Sequence, residues 1–574
     1  MKKRTWYLVR LWMIAGLFCL WTIPIIAKLA NLQICNYDFF LLRSKKQRER
    51  TITIAASRGN IYDRNGKLLA TSIDSYSAYL APKLIRGRDD IQEIICNRFG
   101  IRRDELHALL KKSDYFVWIK RKLNLAQKEA VKDIPGVRFI VEKKRVYLQD
   151  SLGAHILGFV GLDNNGLSGV EQTLDKHLKG MPGKIITEVD PRGEQLFLAS
   201  KQVEPEKPGD SIILTIDEFL QHSVTQELRK AKKIHNADAA SAILIDIQTG
   251  EILALVSLPD YNPNIFWQSR DHSKRNTTTQ TVFEPGSTLK PFTMAIALEN
   301  RLINLDDTYE NEVPFHYGGE TIVEAHNDPS VRGMKRYRDI IRESLNVGAA
   351  KVGIKLGKES LYTGLKKFSF GTKTKVLLPG ESAGIVRHFK EWHESDTAVI
   401  SFGQGIAVTG LQLIRAMTAI ANNGVMKELK IIKSIKSNTG KDIPIPQERS
   451  DEKQVISSSA AWEVRKMMME AVETGTGRAA QVKGYSIAGK TGTAWKVNSQ
   501  GTGYIPGHYV SSFIGIFPAR KPQYILLVVV DNPKGDLRYG SHVAAPAFRN
   551  ITKKAVIHLG IRPDQHPSGL TSNQ

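Results

Sequence analysis

A serine and a lysine that could act together lie in the segment Glu284-Pro-Gly-Ser-Thr-Leu-Lys-Pro291. A helix that begins just after Pro285-Gly286 would place Ser287 and Lys290 on one face, because residues i and i+3 are neighbours on a helix. A serine hydroxyl is a weak nucleophile at neutral pH and needs an adjacent base. Backbone N–H groups at the start of such a helix also stabilise developing negative charge. The segment therefore has the composition of an acyl-transfer site, although S-x-x-K alone recurs by chance on many helices.

Two later motifs strengthen this interpretation. They are Ser344-Leu-Asn346, an S-x-N element, and Lys490-Thr-Gly-Thr493, a K-T-G element. Each is too short to be informative alone. In the order S-x-x-K, S-x-N and K-T-G they match the three elements of penicillin-binding proteins and active-site serine β-lactamases. The combination predicts an enzyme that works through a serine acyl-enzyme.

A rival interpretation comes from Gly484–Thr491, which fits the P-loop formula G-x-x-x-x-G-K-T letter for letter. A P-loop follows a strand and is followed by a helix directly after Lys-Thr. Residues 478–483 make a poor buried strand, and β-forming residues and glycines follow Thr491. We therefore expect Lys490 to lie on a strand facing Ser287, and we do not expect a nucleotide-driven enzyme.

The composition narrows the classes of partner. With 574 residues, 42% of them hydrophobic, the chain can form two or three domains that each bury a core. The net charge of +23 is scattered, apart from clusters at Lys2–Arg10 and Arg43–Arg50, and no zinc-finger, basic-zipper or RNP-like pattern accompanies it. Anionic lipid or an anionic wall polymer is therefore a better partner than nucleic acid. The 14 histidines and three cysteines show no metal-ligand spacing, so we expect no metal.

The N-terminal region has the pattern of a membrane anchor. The run Leu11–Ala27 carries no charge and follows four basic residues, namely Lys2, Lys3, Arg4 and Arg10. A cleaved signal peptide is the alternative, but no small-x-small cleavage site follows the run. We predict a cytoplasmic tail over residues 1–10 and a transmembrane signal anchor over residues 11–30. Basic residues flank both sides of the run, so charge alone does not fix its orientation.

Residues 31–215 have the pattern of a mixed α/β module. Ser57–Gly66 predicts a strand that ends in a turn at Asn65-Gly66, and helical patterns follow around Asp89–Phe99 and Arg103–Lys112. Lys201–Asp210 is charged and contains two prolines, which is typical of a linker. A soft domain boundary is expected there.

The C-terminal half has strands at both of its ends. Ser241–Asp246 and Glu251–Ser257 predict a hairpin across Thr249-Gly250, and Ser511–Phe517 and Tyr524–Asp531 predict a second pair. The helical segments between them include Ser287–Asn300 and Ala460–Glu473. One sheet built from both ends of a single domain is therefore expected.

The chain resembles the class B penicillin-binding proteins, and most closely the division-specific type, penicillin-binding protein 3 or FtsI. The phrases that carry the resemblance are Ser57–Gly66, Gly166–Glu171, Asp246–Leu255, Tyr261–Asn264, Phe283–Lys290, Ser401–Gly405 and Gly489–Thr493. A small departure is Tyr147-Leu148, where the family often has Tyr-Pro.

The resemblance implies an α/β (α+β) fold in several parts. It implies an N-terminal membrane helix, an elongated mixed α/β pedestal (dimerisation-type) module over residues 31–215, and a transpeptidase domain over residues 237–560. The transpeptidase domain would have a central antiparallel sheet flanked by helices. Residues 561–574 are expected to form a C-terminal tail.

The resemblance also implies a peptidoglycan D,D-transpeptidase with defined residue roles. Ser287 would be the nucleophile and Lys290 its base, with a pKa lowered by burial and by a nearby cation such as Lys490. Ser344 would relay a proton to the leaving D-Ala, and Asn346 would hydrogen-bond the substrate amide and hold Lys290. The substrate carboxylate would bind at the K-T-G element, formed by Lys490, Thr491, Gly492 and Thr493. The N–H groups of Ser287 and Thr493 would form the oxyanion hole. Which group deprotonates the serine is disputed for such enzymes, so that role stays open.

Partners and location follow from the same resemblance. The implied ligands are D-Ala-D-Ala stem peptides, an acceptor amine and β-lactams, with no cofactor. The implied location is the inner membrane at the septum, beside an FtsW-type glycan polymerase and other division proteins. The alternatives are an elongation-type class B protein, a β-lactamase, and a non-catalytic penicillin sensor or division scaffold. The anchor and long N-terminal module argue against a β-lactamase, and the three intact motifs argue against a scaffold.

Overall fold

The computed structural model describes residues 2–114, 116–188, 201–325, 329–446, 452–498 and 503–565. The chain divides into two compact units. One comprises Met1–Ala56 with Gly180–Pro208, and the other comprises Ser57–Lys179 with Gly209–Gln574. The second unit contains all three of the sequence motifs that predict chemistry.

The helices and strands are numbered along the chain. Helices α1 to α19 are Lys2–Ala30, Tyr37–Arg48, Pro82–Ile85, Asp89–Phe99, Arg103–Lys111, Leu125–Glu129, Ala154–Leu157, Gly169–Thr173, Asp175–Leu178, Glu218–Ile234, Asp271–Lys274, Thr277–Gln280, Lys290–Glu299, Asp339–Glu343, Asn346–Lys367, Asp396–Ser401, Gly410–Ala421, Ser458–Glu473 and Gly540–His558. Strands β1 to β21 are Glu49–Ile54, Ile61–Tyr62, Leu68–Leu80, Val117–Leu123, Val137–Tyr147, Gly183–Glu188, Lys201–Glu204, Ser211–Leu214, Ala239–Asp246, Ile252–Leu258, Thr308–Asn311, Phe315–Tyr317, Glu320–Ile322, Gly333–Arg336, Val425–Met426, Ile432–Lys436, Asp442–Ile443, Lys453–Gln454, Ala488–Val497, Tyr504–Phe517 and Tyr524–Asp531.

The first unit contains the apolar helix α1, the shorter helix α2 and a small sheet. Helix α1 continues through one π-helical turn at Asn31–Cys35, and Arg4–Cys35 is long and apolar enough to cross a membrane. Strand β6 pairs antiparallel with both β1 and β7. The predicted apolar helix near the N-terminus is therefore present.

The N-terminal part of the second unit is built on a sheet with the order β17-β16-β8-β2-β3-β4, to which β5 is added along β3. The predicted turn at Asn65-Gly66 connects β2 to β3, and the two predicted helices are α4 and α5. Strands β16 and β17 come from residues 432–443, far along the chain from their neighbour β8. This sheet therefore joins the N-terminal module to the C-terminal half.

A buried ionic cluster ties the N-terminal module together. The Glu171 carboxylate accepts from the guanidinium groups of Arg58 and Arg145, and the Arg145 contact is 2.6 Å long. Arg58 also donates to Asp175 at 2.7 Å. The side chains of Glu171 and both arginines are at most 1% exposed. Such a cluster is stable only when its members satisfy one another, so each of them fixes the others.

The C-terminal half is built on a five-stranded antiparallel sheet with the order β10-β9-β21-β20-β19. The first two and the last three of these strands come from opposite ends of this half of the chain, as predicted. Apolar residues alternate between the two faces, so one face packs on α10 and α19 and the other on α17. Strand β19 is an edge strand, and its free edge faces the predicted site.

The predicted helix at Ser287–Asn300 begins differently from expectation. Residues Gly286–Leu289 form a 3-10 turn, and the α-helix begins only at Lys290. The reason is Pro291, which has no N–H to donate to the carbonyl of Ser287. The Lys290 N–H bonds to that carbonyl instead, which closes a tighter turn.

Candidate active site

The S-x-x-K element lies on the turn just described. Ser287 is half-buried and accessible, whereas the Lys290 side chain is 0% exposed. The turn is held by Thr288, whose hydroxyl donates to the Pro285 carbonyl at 2.6 Å, and by the Gly286 N–H, which donates to Gly403 at 3.0 Å. Ser287 is therefore fixed at the surface of the cleft, while its neighbour three residues later points into the protein.

The S-x-N element lies at a sharp reversal between α14 and α15. Ser344 has a φ of +63°, in the left-handed region that costs a non-glycine residue about 1 kcal/mol. Leu345 is extended and buried, and Asn346 begins α15. This conformation directs the Ser344 hydroxyl and carbonyl and the Asn346 side chain toward the S-x-x-K turn.

Hydrogen bonds bring the three motifs together. The Lys290 amine donates to the Ser344 carbonyl at 2.6 Å and to Asn346 Oδ1 at 2.8 Å. The Ser344 hydroxyl lies 3.1 Å from Ser287 Oγ, and the Lys490 amine donates to Ser344 Oγ at 2.8 Å. Since hydroxyl groups both donate and accept, protons can pass along Ser287, Ser344 and Lys490 in either direction.

The K-T-G element lies within β19, so the P-loop alternative is wrong and the predicted strand is confirmed. The Lys490 amine also bonds to the carbonyl and hydroxyl of Thr491, at 3.1 and 3.2 Å. A Cβ on Gly492 would lie 2.8 Å from the Thr288 methyl group and closer still to Ser512, so only glycine allows this close approach. The Thr493 hydroxyl accepts from the Gly540 N–H at 3.0 Å.

Burial sets the charge state of both lysines. It lowers the pKa of Lys290 to about 7, although the carboxylate of Glu324 acts in the opposite direction. Burial and repulsion from Lys290 hold the pKa of Lys490 well below its usual range. The repulsion between the two amines is mutual, and it lowers the pKa of the amine that gives up its proton first, here Lys490. The Lys290 amine can therefore hold or release a proton near neutral pH, and the Lys490 amine loses its proton far more readily than an exposed lysine.

Two carboxylates near the site were missed by the sequence analysis. Glu324 accepts from the backbone N–H groups of Asn346 and Val347, at 2.6 and 3.1 Å. Glu284 accepts from the Gly405 N–H at 2.8 Å and from Tyr504 at 3.1 Å. Glu284 adjoins the S-x-x-K element and could have been noticed, whereas Glu324 lies in a loop with no motif around it.

No cofactor or metal chemistry is suggested by the side chains at this site. Across the parts of the chain that the structure describes, no group of three or more His, Cys, Asp and Glu residues could hold a metal ion. The groups that converge are a hydroxyl nucleophile, a second hydroxyl and two amines of lowered pKa. Such an arrangement fits acyl transfer through a serine ester.

Comparisons with known proteins agree with this geometry. A family model described as penicillin binding protein transpeptidase domain matches residues 240–553, and a penicillin-binding protein dimerisation domain matches residues 53–214. The "Probable peptidoglycan D,D-transpeptidase PenA" of Neisseria meningitidis is 33% identical over 94% of this chain and 91% of that protein. The peptidoglycan D,D-transpeptidase FtsI of Escherichia coli is 31% identical over 95% of this chain and 91% of its own length.

A solved structure gives the same result. Penicillin-binding protein 3 from Mycobacterium tuberculosis, complexed with aztreonam, superimposes with a TM-score of 0.70 at 27% identity, over 90% of this chain and 98% of that one. The α/β fold and the family resemblance predicted from the sequence are confirmed. With its three motifs assembled around one serine, the chain belongs to the penicillin-binding protein transpeptidase family, among the FtsI and PenA serine-type peptidoglycan D,D-transpeptidases.

Proposed function

We propose that Ser287 is the nucleophile with which this enzyme cross-links peptidoglycan stem peptides in septal wall synthesis. The observation that carries the proposal is the hydrogen-bonded path from the Ser287 hydroxyl through Ser344 to Lys490, with the Lys290 amine bonded to the same Ser344–Asn346 segment. Burial lowers the pKa of both amines, that of Lys290 to about 7, and a half-exposed hydroxyl close to such a base is an activated nucleophile.

Acylation begins when Ser287 Oγ attacks the carbonyl carbon of the penultimate D-Ala of a donor peptide. Its proton passes to a neutral amine, and Lys290 is our first choice because burial keeps its pKa near 7. The bond to the terminal D-Ala then breaks, and Ser344 passes a proton to the leaving amine. An acceptor amine attacks the resulting ester, which forms the cross-link and restores the Ser287 hydroxyl.

The K-T-G element binds the terminal carboxylate of the donor in this scheme, through Lys490 and the hydroxyls of Thr491 and Thr493, while Gly492 lets β19 approach the S-x-x-K turn. A carboxylate beside Lys490 favours the charged amine, which opposes the effects of burial and of Lys290. Asn346 hydrogen-bonds the substrate amide. The N–H groups of Ser287 and Thr493 form the oxyanion hole, where each donor typically contributes about 10² in rate.

The proposed location is the cell membrane, with one crossing and the catalytic domain outside the cytoplasm. The exposed, apolar helix Arg4–Cys35 supports the crossing. The proposed parts are a tail over residues 1–10, the anchor over 11–30, the pedestal module over 31–215, the transpeptidase domain over 237–560 and a C-terminal tail over 561–574. An FtsW-type polymerase and other division proteins are the proposed partners, because the relatives named FtsI support duty at the septum.

The nucleophile is tested by labelling the full-length protein in detergent with a fluorescent penicillin, followed by intact mass measurement. The wild type should gain one penicillin mass, and Ser287→Ala should gain none. Ser269→Ala is the matched control, because Ser269 is also half-buried but lies outside the three motifs, and it should label normally. Labelling that survives in Ser287→Ala would refute the assignment.

The cellular duty is tested by depletion and complementation in the source cell. Filamentous cells after depletion are expected for a septal enzyme, whereas rounded cells would indicate the elongation-type alternative. A Ser287→Ala copy that fully restores growth would instead indicate a non-catalytic scaffold or sensor.

A further inference from the structure

A carboxylate that belongs to none of the three motifs accepts hydrogen bonds from the backbone of the S-x-N element. The carboxylate of Glu324, in the loop after β13, accepts from the N–H groups of Asn346 and Val347, at 2.6 and 3.1 Å. These are the first two residues of α15, so Glu324 acts as a carboxylate cap on that helix. The preceding residue contributes as well, because the Val323 carbonyl accepts from Asn346 Nδ2 at 2.9 Å.

These contacts orient the Asn346 side chain. With Nδ2 donated to Val323, Oδ1 is turned toward Lys290, whose amine donates to it at 2.8 Å. A flipped Asn346 amide would place two donors against the Lys290 amine. The Val323 carbonyl therefore determines which end of the Asn346 amide faces Lys290, while Glu324 holds the backbone that carries this side chain.

Other charged groups around this cluster are already paired. The Tyr309 hydroxyl packs against Gly348 on α15, and the carboxylates that influence Tyr309 are Glu324 first, then Asp339 and Glu343 on α14. Asp339 bonds to Arg342 at 2.9 Å, and Glu343 bonds to Lys335 at 2.8 Å. On the other side of Lys290 the titratable group is the Lys490 amine of β19.

We propose that Glu324 is a positioning residue for acylation, which holds Asn346 against Lys290 and sets the electrostatic environment of that amine. The proposal rests on the proposed function, since it requires Lys290 to act as a base for Ser287. Glu324 does not touch the reacting atoms. It acts through the cap on α15 and through its negative charge, which favours the protonated form of Lys290.

The test is the pH dependence of penicillin acylation, measured from pH 5 to 9 for the full-length protein. The acid limb of the profile is the pH range in which the rate rises as Lys290 loses its proton. Glu324→Gln keeps the shape and one acceptor oxygen but removes the charge, so the midpoint of the acid limb should fall by about one pH unit. The rate of Glu324→Gln at pH 6, expressed as a fraction of its own plateau rate, should then be about fivefold higher than the same fraction for the wild type. Glu324→Asp keeps the charge and should keep the wild-type midpoint.

Glu324→Ala removes the cap as well as the charge. Its midpoint should shift like that of Glu324→Gln. Its plateau rate should be about tenfold lower than that of Glu324→Gln, because Asn346 is released. Glu310→Gln is the matched control, because Glu310 lies exposed on the nearby strand β11, and its profile should match the wild type. Thermal unfolding of each variant identifies any loss of fold, and Glu324→Gln decides the question if Glu324→Ala does not fold.

An acid limb in Glu324→Gln that coincides with the wild type would overturn the inference, even if the plateau rate were lower, because a merely structural residue changes the rate without moving the midpoint. A wild type that is not acylated at all would instead refute the proposed function. The two failures are therefore distinguishable in one set of measurements.

Discussion

The rate of acylation by penicillin should rise with pH along a single titration curve centred near pH 7. Burial lowers the pKa of Lys290 to about 7, and only the neutral amine can accept the Ser287 proton. About one tenth of the amine is neutral at pH 6 and about nine tenths at pH 8, so the rate should increase about tenfold between them and then level off. An ordinary lysine, with a pKa near 10.4, would give about a hundredfold rise over the same range and no plateau.

The second-order rate constant is measured by stopped flow with a fluorescent penicillin, at constant ionic strength, from pH 5 to 9. Lys290→Met is the matched variant, because methionine fills most of the same buried volume without an amine. Its rate should fall by about 10² to 10⁴, the usual contribution of a general base, and its residual rate should lose the limb near pH 7. The stability of the same variant gives an independent check.

The free energy of unfolding depends on pH, because Lys290 binds its proton more weakly in the folded than in the unfolded chain. Between pH 7 and 10.5 the unfolded chain holds a proton on Lys290 that the folded chain has released, so the free energy of unfolding rises with pH across this window. Below pH 7 the folded protein carries the full cost of the buried charge. Lys290→Met should therefore unfold at a higher temperature than the wild type at pH 6, and the difference should shrink as pH rises to 9. A rate that rises without a plateau to pH 9, or a Lys290→Met profile that retains the limb, would refute the assignment of Lys290 as base.

Three further changes have defined outcomes. Gly492→Ala should lower acylation at least tenfold, because its Cβ would lie 2.8 Å from the Thr288 methyl group, whereas Gly503→Ala, which has room, should acylate normally. Glu171→Gln should lower the free energy of unfolding by about 3 kcal/mol, because it breaks a buried ionic cluster. Asp90→Asn, in an exposed ion pair, should leave the stability unchanged in the same denaturation assay. Ser344→Gly and Ser344→Ala should lose activity equally in a D-Ala release assay. Ser344→Gly should nevertheless be about 1 kcal/mol more stable than Ser344→Ala, because glycine adopts the left-handed φ without strain. Equal stability of the two variants would contradict backbone strain at this position.

The pattern of apolar residues along the sequence was sufficient to predict the main strands of the C-terminal half. The hairpin of β9 and β10 and the strands β20 and β21 follow from runs of apolar residues, because such runs are what a sheet buried on both faces requires. The strand containing Lys490 also followed, since glycines and β-forming residues after the motif exclude a helix. These are local signals, which a single sequence carries directly.

Features that depend on distant contacts were not predictable. The sheet that pairs β8 with β16 joins residues more than 200 positions apart, and no local pattern specifies that partner. The role of Glu324 depends on a loop folding back onto the first turn of α15, again through contacts that spacing does not encode. The 3-10 turn at Ser287 was predictable in principle, because Pro291 removes the N–H that an α-helical turn would need.

The two buried lysines constrain the order in which the site can act. Burial removes hydration from both amines, and the charge of Lys290 further disfavours a proton on Lys490, so a second proton at the site is costly. If a substrate carboxylate binds at the K-T-G element as proposed, its negative charge stabilises a proton on Lys490. The charged Lys490 then disfavours a proton on Lys290, which leaves that amine neutral at the moment it is needed by Ser287. Substrate binding and activation of the nucleophile are thereby coupled through Ser344, whose hydroxyl bonds to Lys490 and lies within hydrogen-bond distance of Ser287 Oγ.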